Sequence, residues 1–257
     1  MTVFNILTAK ESLLFGYDAT RVAEARAKIA IEPDQKRALF IAERSRVDFV
    51  YNTAALEDNP FTYPEVQTLI DGITVGGHKI TDSEQVLRLN QALSYVIALI
   101  KDGKFEFTAQ IAKEIQTIAA KTEALELGVF RNGGVSVGGS TFKVPNADML
   151  DTLYEQGKQT LNTIADPIQK AFLLFLWGSL IQFFWDGNKR TSRFMCNGIL
   201  MDAGYPPMMI TKEEKLAYNQ TMLQFYNTQD ATEAMVWFYE RYLERITHFG
   251  FPSNAKS

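Results

Sequence analysis

Apolar residues recur at three- and four-residue intervals along most of this chain, which predicts helices. Between Asp34 and Glu57, the positions Leu39, Ala42, Val47, Val50 and Ala54 share one face and predict helix throughout the stretch. Ser12–Ala30 reads as one helix or two short ones. Thr62-Tyr63-Pro64-Glu65 places an acid three residues after a threonine, the capping-box pattern, and opens a short helix. A long amphipathic helix follows over Asp82–Gly103, with Gly103 as its stop, and another over Thr108–Thr122. Helix resumes at Ala147 and runs to Asn162. It continues from Asp166 and Pro167, a good N-cap and first-turn pair, through Phe184. A helix starting near Lys189 closes at Gly204, and two more begin at Thr211 and near Asp230.

One segment breaks this rhythm. Val129–Asn146 alternates Val135 and Val137 with small polar residues, and glycines and Pro145 punctuate it. The alternation predicts a small β-hairpin or flap. The fold class is therefore all-α, one helical domain over 1–257 carrying a β-hairpin flap. The terminal Pro252–Ser257 is expected to fray.

Composition narrows the chemistry. Of 257 residues 46% are hydrophobic, enough for a sizeable core, and the net charge is -4. An acidic chain lacks the basic face that nucleic acid needs, so no nucleic-acid partner is expected. The longest apolar run, Ala171–Ile181, contains Gly178 and Ser179 and is too short to span a bilayer, so no membrane partner is expected either. A single cysteine, Cys196, allows no disulfide within the chain. With no signal peptide at the start, a cytoplasmic location is expected. Cys196 reads as core. Only two histidines exist, His78 in a turn and His248 near the end, which disfavours histidine-rich metal sites and triads.

The chemistry concentrates at Gln182–Arg193, "QFFWDGNKRTSR". An apolar helix ends, Asp186-Gly187-Asn188 turns the chain, and a new helix starts near Lys189. Free backbone N–H groups at such a start favour an anion. Arg190 and Arg193 are one turn apart and can face the same ligand. Guanidinium forks pair well with phosphate oxygens. Asp186 is close enough to hold Mg²⁺ beside them. Alone, "DGNKR" is a common turn.

Phe184, Asp186, Gly187, Asn188, Lys189, Arg190 and Arg193, with "AGYPP" shortly after, resemble the Fic (Fic/Doc) motif His-x-Phe-x-Asp/Glu-Gly-Asn-Gly/Lys-Arg-x-x-Arg. "ITVGGHKITDSEQVLRLNQAL", the flap "GVFRNGGVSVGGS" and "TAALEDNPFT" extend the resemblance over roughly residues 45–210. The last is similar to the family's inhibitory segment, Ser/Thr-x-x-x-Glu-Gly/Asn.

The resemblance implies a Fic-type helical bundle and AMP transfer from ATP to a hydroxyl of a target protein. It divides the chain into N-terminal helices with the inhibitory segment (1–65), a core (66–210) and C-terminal helices (211–257). It implies that Phe184 anchors the loop and Asp186 binds Mg²⁺. The backbone at Gly187 and Asn188 forms the anion hole, Lys189 joins the nucleotide-binding residues, and Arg190 and Arg193 hold the distal phosphates. Val135, Val137 and Phe142 on the flap would dock an extended target segment, and Glu57 would reach Arg193 in place of the γ-phosphate. Trp237, Phe238 and Tyr242 on the final helix read as core or as an interface, as in a homodimer.

The chain departs from the pattern at three places. Gln182 stands where the family has its general base, and an amide takes up no proton at pH 7. Lys189 stands where AMP-transferring members often have glycine, and matches Doc-type motifs linked to phosphoryl transfer. Asp58 follows Glu57 where glycine or asparagine is usual. Three functions fit these residues: an ATP/Mg²⁺-binding member of the AMP-transferase lineage with weak or altered catalysis, an inactive nucleotide-sensing or protein-binding module, or a phosphoryl transferase.

Overall fold

A helix that is apolar on every side has to be surrounded, and Pro167–Ile181 is. The computed structural model describes residues 15–121 and 123–249, with the backbone of Val3 and Phe4. The frayed end expected at Pro252–Ser257 lies outside the described residues. Among the described residues there are eleven α-helices: α1 Ala19–Ala27, α2 Gln35–Arg44, α3 Arg46–Leu56, α4 Tyr63–Ile70, α5 Ile80–Lys101, α6 Ala109–Ala119, α7 Leu150–Asn162, α8 Pro167–Ile181, α9 Asn188–Asp202, α10 Lys215–Thr228 and α11 Thr232–His248. The class is all-α, as the periodicity predicts.

Helix α8 is the axis of the core. Asp166 caps it, accepting a bond from the Ile168 N–H at 3.0 Å, and Pro167 opens it. Phe172 packs against Phe238, Tyr239 and Tyr242 of α11, so Phe238 and Tyr242 belong to the core. Trp237 packs against the edge of the same cluster. Cys196 is fully buried, and burial pushes its thiol well above the usual range. The other side of α8 faces α9, and the approach needs Gly178: a methyl there would meet Ser192 Oγ at 2.3 Å.

Three elements differ from expectation. Helix starts later than Ser12: Tyr17–Asp18 (β2) pairs antiparallel with Val3–Phe4 (β1). Asp18 then accepts bonds from the Thr20 and Arg21 N–H groups, fixing the start of α1 at Ala19. The stretch from Asp34 to Glu57 is two helices meeting at Ser45 (φ −94°, ψ 17°), whose hydroxyl bonds the Ile41 carbonyl at 2.8 Å. A serine hydroxyl that competes for the helix's own carbonyls bends the chain there. The predicted hairpin at 129–146 is a flap without a ladder, and no strand is assigned to it. Its exposure alternates from Gly134 to Gly138, but its two arms do not pair.

Candidate functional site

The loop between α8 and α9 is shaped by its two ends. Helix α8 stops because Gln182 turns left-handed, at φ 57° and ψ 62°. Phe183 and Phe184 then plunge into the core, each 3% exposed. Phe183 meets Trp177 and Tyr154 edge-to-face and packs tilted against Phe130, so the anchor is a pair of phenylalanines rather than Phe184 alone. Asn188 closes the loop. Its Oδ1 accepts from the Phe184 N–H and its Nδ2 donates to the Phe184 carbonyl, both at 2.8 Å. Gly187 has φ 76°, and a side chain there would strike Ala120 Cβ at 2.7 Å, so only glycine fits.

Both ends of the Gln182 amide are engaged inside the protein. Nε2 donates to the Ser179 carbonyl at 2.6 Å, and Oε1 accepts from Asn188 Nδ2 at 3.1 Å. The side chain braces the loop and carries no titrating proton.

The first turn of α9 presents N–H groups without intrahelical acceptors. Arg190 and Arg193 rise from that turn, 2% and 1% exposed. Their surroundings are unequal. Arg190 is gripped by Glu123, which takes Nη1 at 2.9 Å and Nη2 in a second, shorter bond. Arg190 Nη1 also bonds the Ala119 carbonyl at 3.0 Å, and Nη2 approaches Asp186 at 3.5 Å. Burial works against its charge, but Glu123, Glu57 and Asp186 hold its pKa above the ordinary value. Arg193 makes no well-formed hydrogen bond through Nε, Nη1 or Nη2. It lies 6.0 Å from the centre of the Tyr218 ring, near enough for its charge and a weak hydrogen bond to act on the Tyr218 hydroxyl. Burial pushes that Tyr218 hydroxyl up to about 12.

Glu57, at the C-cap of α3, stands 3.9 Å from Arg190 Nε and 4.0 Å from Arg193 Nη1. It reaches both arginines at ion-pair range and bonds neither. Asp58 turns away, in the left-handed region at φ 62°, and pairs with Lys215 at 2.6 Å. The second negative charge therefore sits outside the site.

Above these groups lie two clefts that share Ser136, Gln182 and Lys189, and Arg193 is in the wall of neither. One, of about 250 Å³, has Glu57, Asp186, Gly187 and Arg190 in its wall. The other, of about 460 Å³, is walled by Val137, Met222, Leu223 and Tyr226 with Asn219. Lys189 faces both. Val135 lines the first cleft and Val137 the second, whereas Phe142 lines neither. Asp186 is half exposed, and among the described residues no group of three acids, histidines or cysteines gathers around a cation. One carboxylate suits Mg²⁺, which keeps waters and takes its remaining ligands from phosphate oxygens.

Two residues here carry no signal in the sequence. Glu123 lies in a turn before the flap and meets Arg190 across 67 positions. Arg131 lies inside the flap and clasps its base. No periodicity marks either. His78 stacks on Phe61 and bonds Glu65 at 3.0 Å, far from the loop in role.

Residues 104–200 match the model of the Fic/DOC family. The chain is similar to Protein adenylyltransferase Fic of Drosophila willistoni, 28% identical over 222 residues, 83% of this chain and 43% of that protein. It thus spans less than half the length of that relative. Among solved structures it is similar to C. elegans Fic-1, with TM-score 0.71 and 20% identity over 90% of this chain and 70% of that one. It is also similar to a Fic domain containing signaling protein from Bacteroides thetaiotaomicron, with TM-score 0.66 and 18% identity over 89% and 91%. At these identities the structural likeness establishes the fold.

Proposed function

We propose that this chain, which carries a Fic/DOC-family domain over residues 104–200, binds ATP with Mg²⁺ at the α8–α9 loop and belongs to the AMP-transferring lineage, with turnover weakened at Gln182. One contrast carries the reading: Arg193 is buried with no well-formed hydrogen bond at any guanidinium nitrogen and Glu57 only at 4.0 Å, while the Gln182 amide is satisfied at both ends. A buried cation so loosely partnered is costly, and a phosphate supplies the close acceptors it lacks. Arg193 and the N–H groups opening α9 would hold phosphate oxygens. Asp186 would hold Mg²⁺, and the bound ion would neutralise charge on the phosphates. The larger cleft, apolar on the Leu223 side, suits the nucleoside.

Glu57 supports autoinhibition because it stands at ion-pair distance from the arginines a phosphate would take. The backbone around Val135 and Val137, which makes no ladder bonds, supports docking of a target segment by strand addition. Gln182 sits where a base would act. Losing a positioned base forfeits about 10²–10⁴-fold in rate, while binding by the arginines is independent of it. The relatives' name, protein adenylyltransferase, supports AMP as the transferred group and a protein as its acceptor.

The test uses ATP labelled at the α- or the γ-phosphate and a lysate of candidate targets. It compares the chain as given, Gln182→His, and Gln182→His with Glu57→Gly. Only the restored variants transfer α-label, the double variant more strongly, while the unmodified chain binds ATP in a calorimetric titration. Transfer of γ-label alone assigns phosphoryl transfer through the Lys189-containing loop. Absence of transfer and of ATP binding in all three removes the nucleotide reading.

A further inference from the structure

The carboxylate that holds a motif arginine is Glu123. Glu57 approaches Arg190 and Arg193 no closer than 3.9 Å and 4.0 Å. Glu123 instead takes the Arg190 fork with both oxygens. That fork-to-fork geometry is the one a phosphate would adopt on the same guanidinium. Glu123 is itself held: Gln85 Nε2 donates to its Oε1 at 3.0 Å. Gln85 in turn is oriented by Asn59 Nδ2, which donates to Gln85 Oε1 at 2.9 Å. Asn59 follows Glu57 by two residues at the end of α3. An unbroken series of hydrogen bonds therefore runs from the α3 terminus through Gln85 and Glu123 to Arg190. Burial disfavours the Glu123 charge, but the Arg190 bonds and charge hold its carboxyl below the usual range. The side chain keeps 30% of its exposure and sits on a turn, so water can receive it when it leaves Arg190.

We propose that Glu123 is a second acidic brake on this site: it occupies Arg190 and excludes polyphosphate from it, separately from Glu57, and the α3 terminus keeps it in place through Asn59 and Gln85. The proposal rests on the reading of the cleft as a polyphosphate site. On this account Glu57 stands over Arg193 at ion-pair range, and Arg190 becomes available only when Glu123 releases it. Full engagement of a polyphosphate then means exchange of one anionic partner of Arg190 for another. The resting protein binds such ligands below the strength its two arginines allow.

The test is calorimetric titration of the full chain with inorganic tripolyphosphate and, separately, with ATP, both with Mg²⁺. Four proteins are compared: unmodified, Glu123→Gln, Gln85→Leu and Glu57→Gln. Glu123→Gln removes the competing charge at nearly constant shape and should tighten tripolyphosphate binding about tenfold or more, the worth of one charge-assisted hydrogen bond. Gln85→Leu keeps the carboxylate but removes its tether, and should move affinity the same way by less. It also carries the test if Glu123→Gln folds poorly. Thermal melts separate a brake from a merely structural role. A structural partner, once lost, lowers both the ligand-free melting temperature and the affinity, whereas loss of a brake lowers the first and raises the second. Unchanged or weaker binding in both Glu123→Gln and Gln85→Leu, with binding intact in the unmodified chain or in Glu57→Gln, overturns the proposal and leaves the polyphosphate reading standing. No binding of either ligand by any of the four overturns both.

Discussion

Arg131 Nε donates to the carbonyl of Gln182 at 2.6 Å, tying the base of the flap to the residue that ends α8. The same guanidinium reaches the Gly133 and Pro145 carbonyls, each at 2.7 Å, on the two arms of the flap. Its backbone N–H bonds the Phe183 carbonyl at 2.9 Å. No carboxylate shares this cation among the described residues, and burial lowers its pKa. A charge placed where water is absent and only carbonyls accept is a strut, because its five donors fix several backbone segments at once. The flap needs such a strut, since its arms do not pair with each other. At its tip Asn227 Oδ1 accepts from the Thr141 N–H at 3.0 Å, so both ends are fixed while the edge between them stays open.

Arg131→Ala should therefore destabilise the protein by about 3–5 kcal/mol in urea unfolding, since it strands several buried carbonyls. Limited proteolysis should cut first within 129–146. Arg131→Lys should recover only part of the loss, because a point charge cannot serve three divergent carbonyls. Equal stability of Arg131→Ala and the unmodified chain would show that the flap is held from elsewhere.

Asp58 occupies the position just past α3, where the chain must turn left-handed. The Asn59 N–H bonds the Ala54 carbonyl at 3.1 Å and the Asp58 N–H bonds the Ala55 carbonyl at 3.2 Å, the pairing of a Schellman ending. Aspartate tolerates this conformation and Lys215 neutralises it, so the departure from glycine or asparagine leaves Glu57 oriented toward the arginines. Asp58→Ile should cost about 1–2 kcal/mol, because a β-branched residue resists positive φ. Asp58→Gly should stay within about 0.5 kcal/mol, since relief of the backbone offsets the loss of an exposed ion pair. Equal thermal stability of the two variants would contradict this account.

The helix after the inhibitory-like segment carries a pH signature. The Thr62 backbone N–H, then His78 and the Thr62 hydroxyl, hold the Glu65 carboxyl down from 4.5 to about 2. A depressed carboxylate contributes its stability above its unfolded value and loses it as pH falls through the folded value. The stability difference between the unmodified chain and Glu65→Gln should thus persist from neutrality to pH 4 and close only as pH falls toward 2. Chemical denaturation at a series of pH values measures it, and a difference that vanishes by pH 4 would refute the assignment.

What was legible in the sequence was local. Asp166-Pro167 and Thr62–Glu65 act within one helical turn, so they mark helix starts correctly. The α8–loop–α9 passage was legible because an all-apolar helix meets a turn and then three cations. The break at Ser45 was not, because apolar spacing runs straight through it and only the hydroxyl's bond to Ile41 reveals it. The alternation predicts a β-hairpin or flap, and no ladder forms, because whether two arms pair depends on partners that alternation cannot show. At the loop itself the sequence offered Glu57 as the acid for the arginines. Glu123, unmarked by any spacing, is the one that bonds, since contacts across so many residues are set by how α5, α6 and α9 pack.

Asn188 gives the sharpest test of how the loop is built. Its amide acts as a short piece of paired backbone, accepting from the Phe184 N–H and donating to the Phe184 carbonyl, with Gln182 Oε1 as a further acceptor. Asn188→Asp preserves the shape and the first bond, but the carboxylate cannot donate. It would leave the Phe184 carbonyl and Gln182 Oε1 facing a negative oxygen in a position 6% exposed. The helix N-terminus would favour that charge by about 0.3–1 kcal/mol, less than the cost of two lost bonds and an unmet buried acceptor. Asn188→Asp should lower stability by about 2–3 kcal/mol in urea unfolding. It should also weaken tripolyphosphate binding, because it adds a negative charge to the turn that opens α9. Asn188→Ala removes those two bonds and the one from the Phe184 N–H as well, without adding charge. It should lower stability by a similar amount but bind the anion more tightly than the aspartate variant does, so equal binding by the two variants would mean that the start of α9 does not face the ligand.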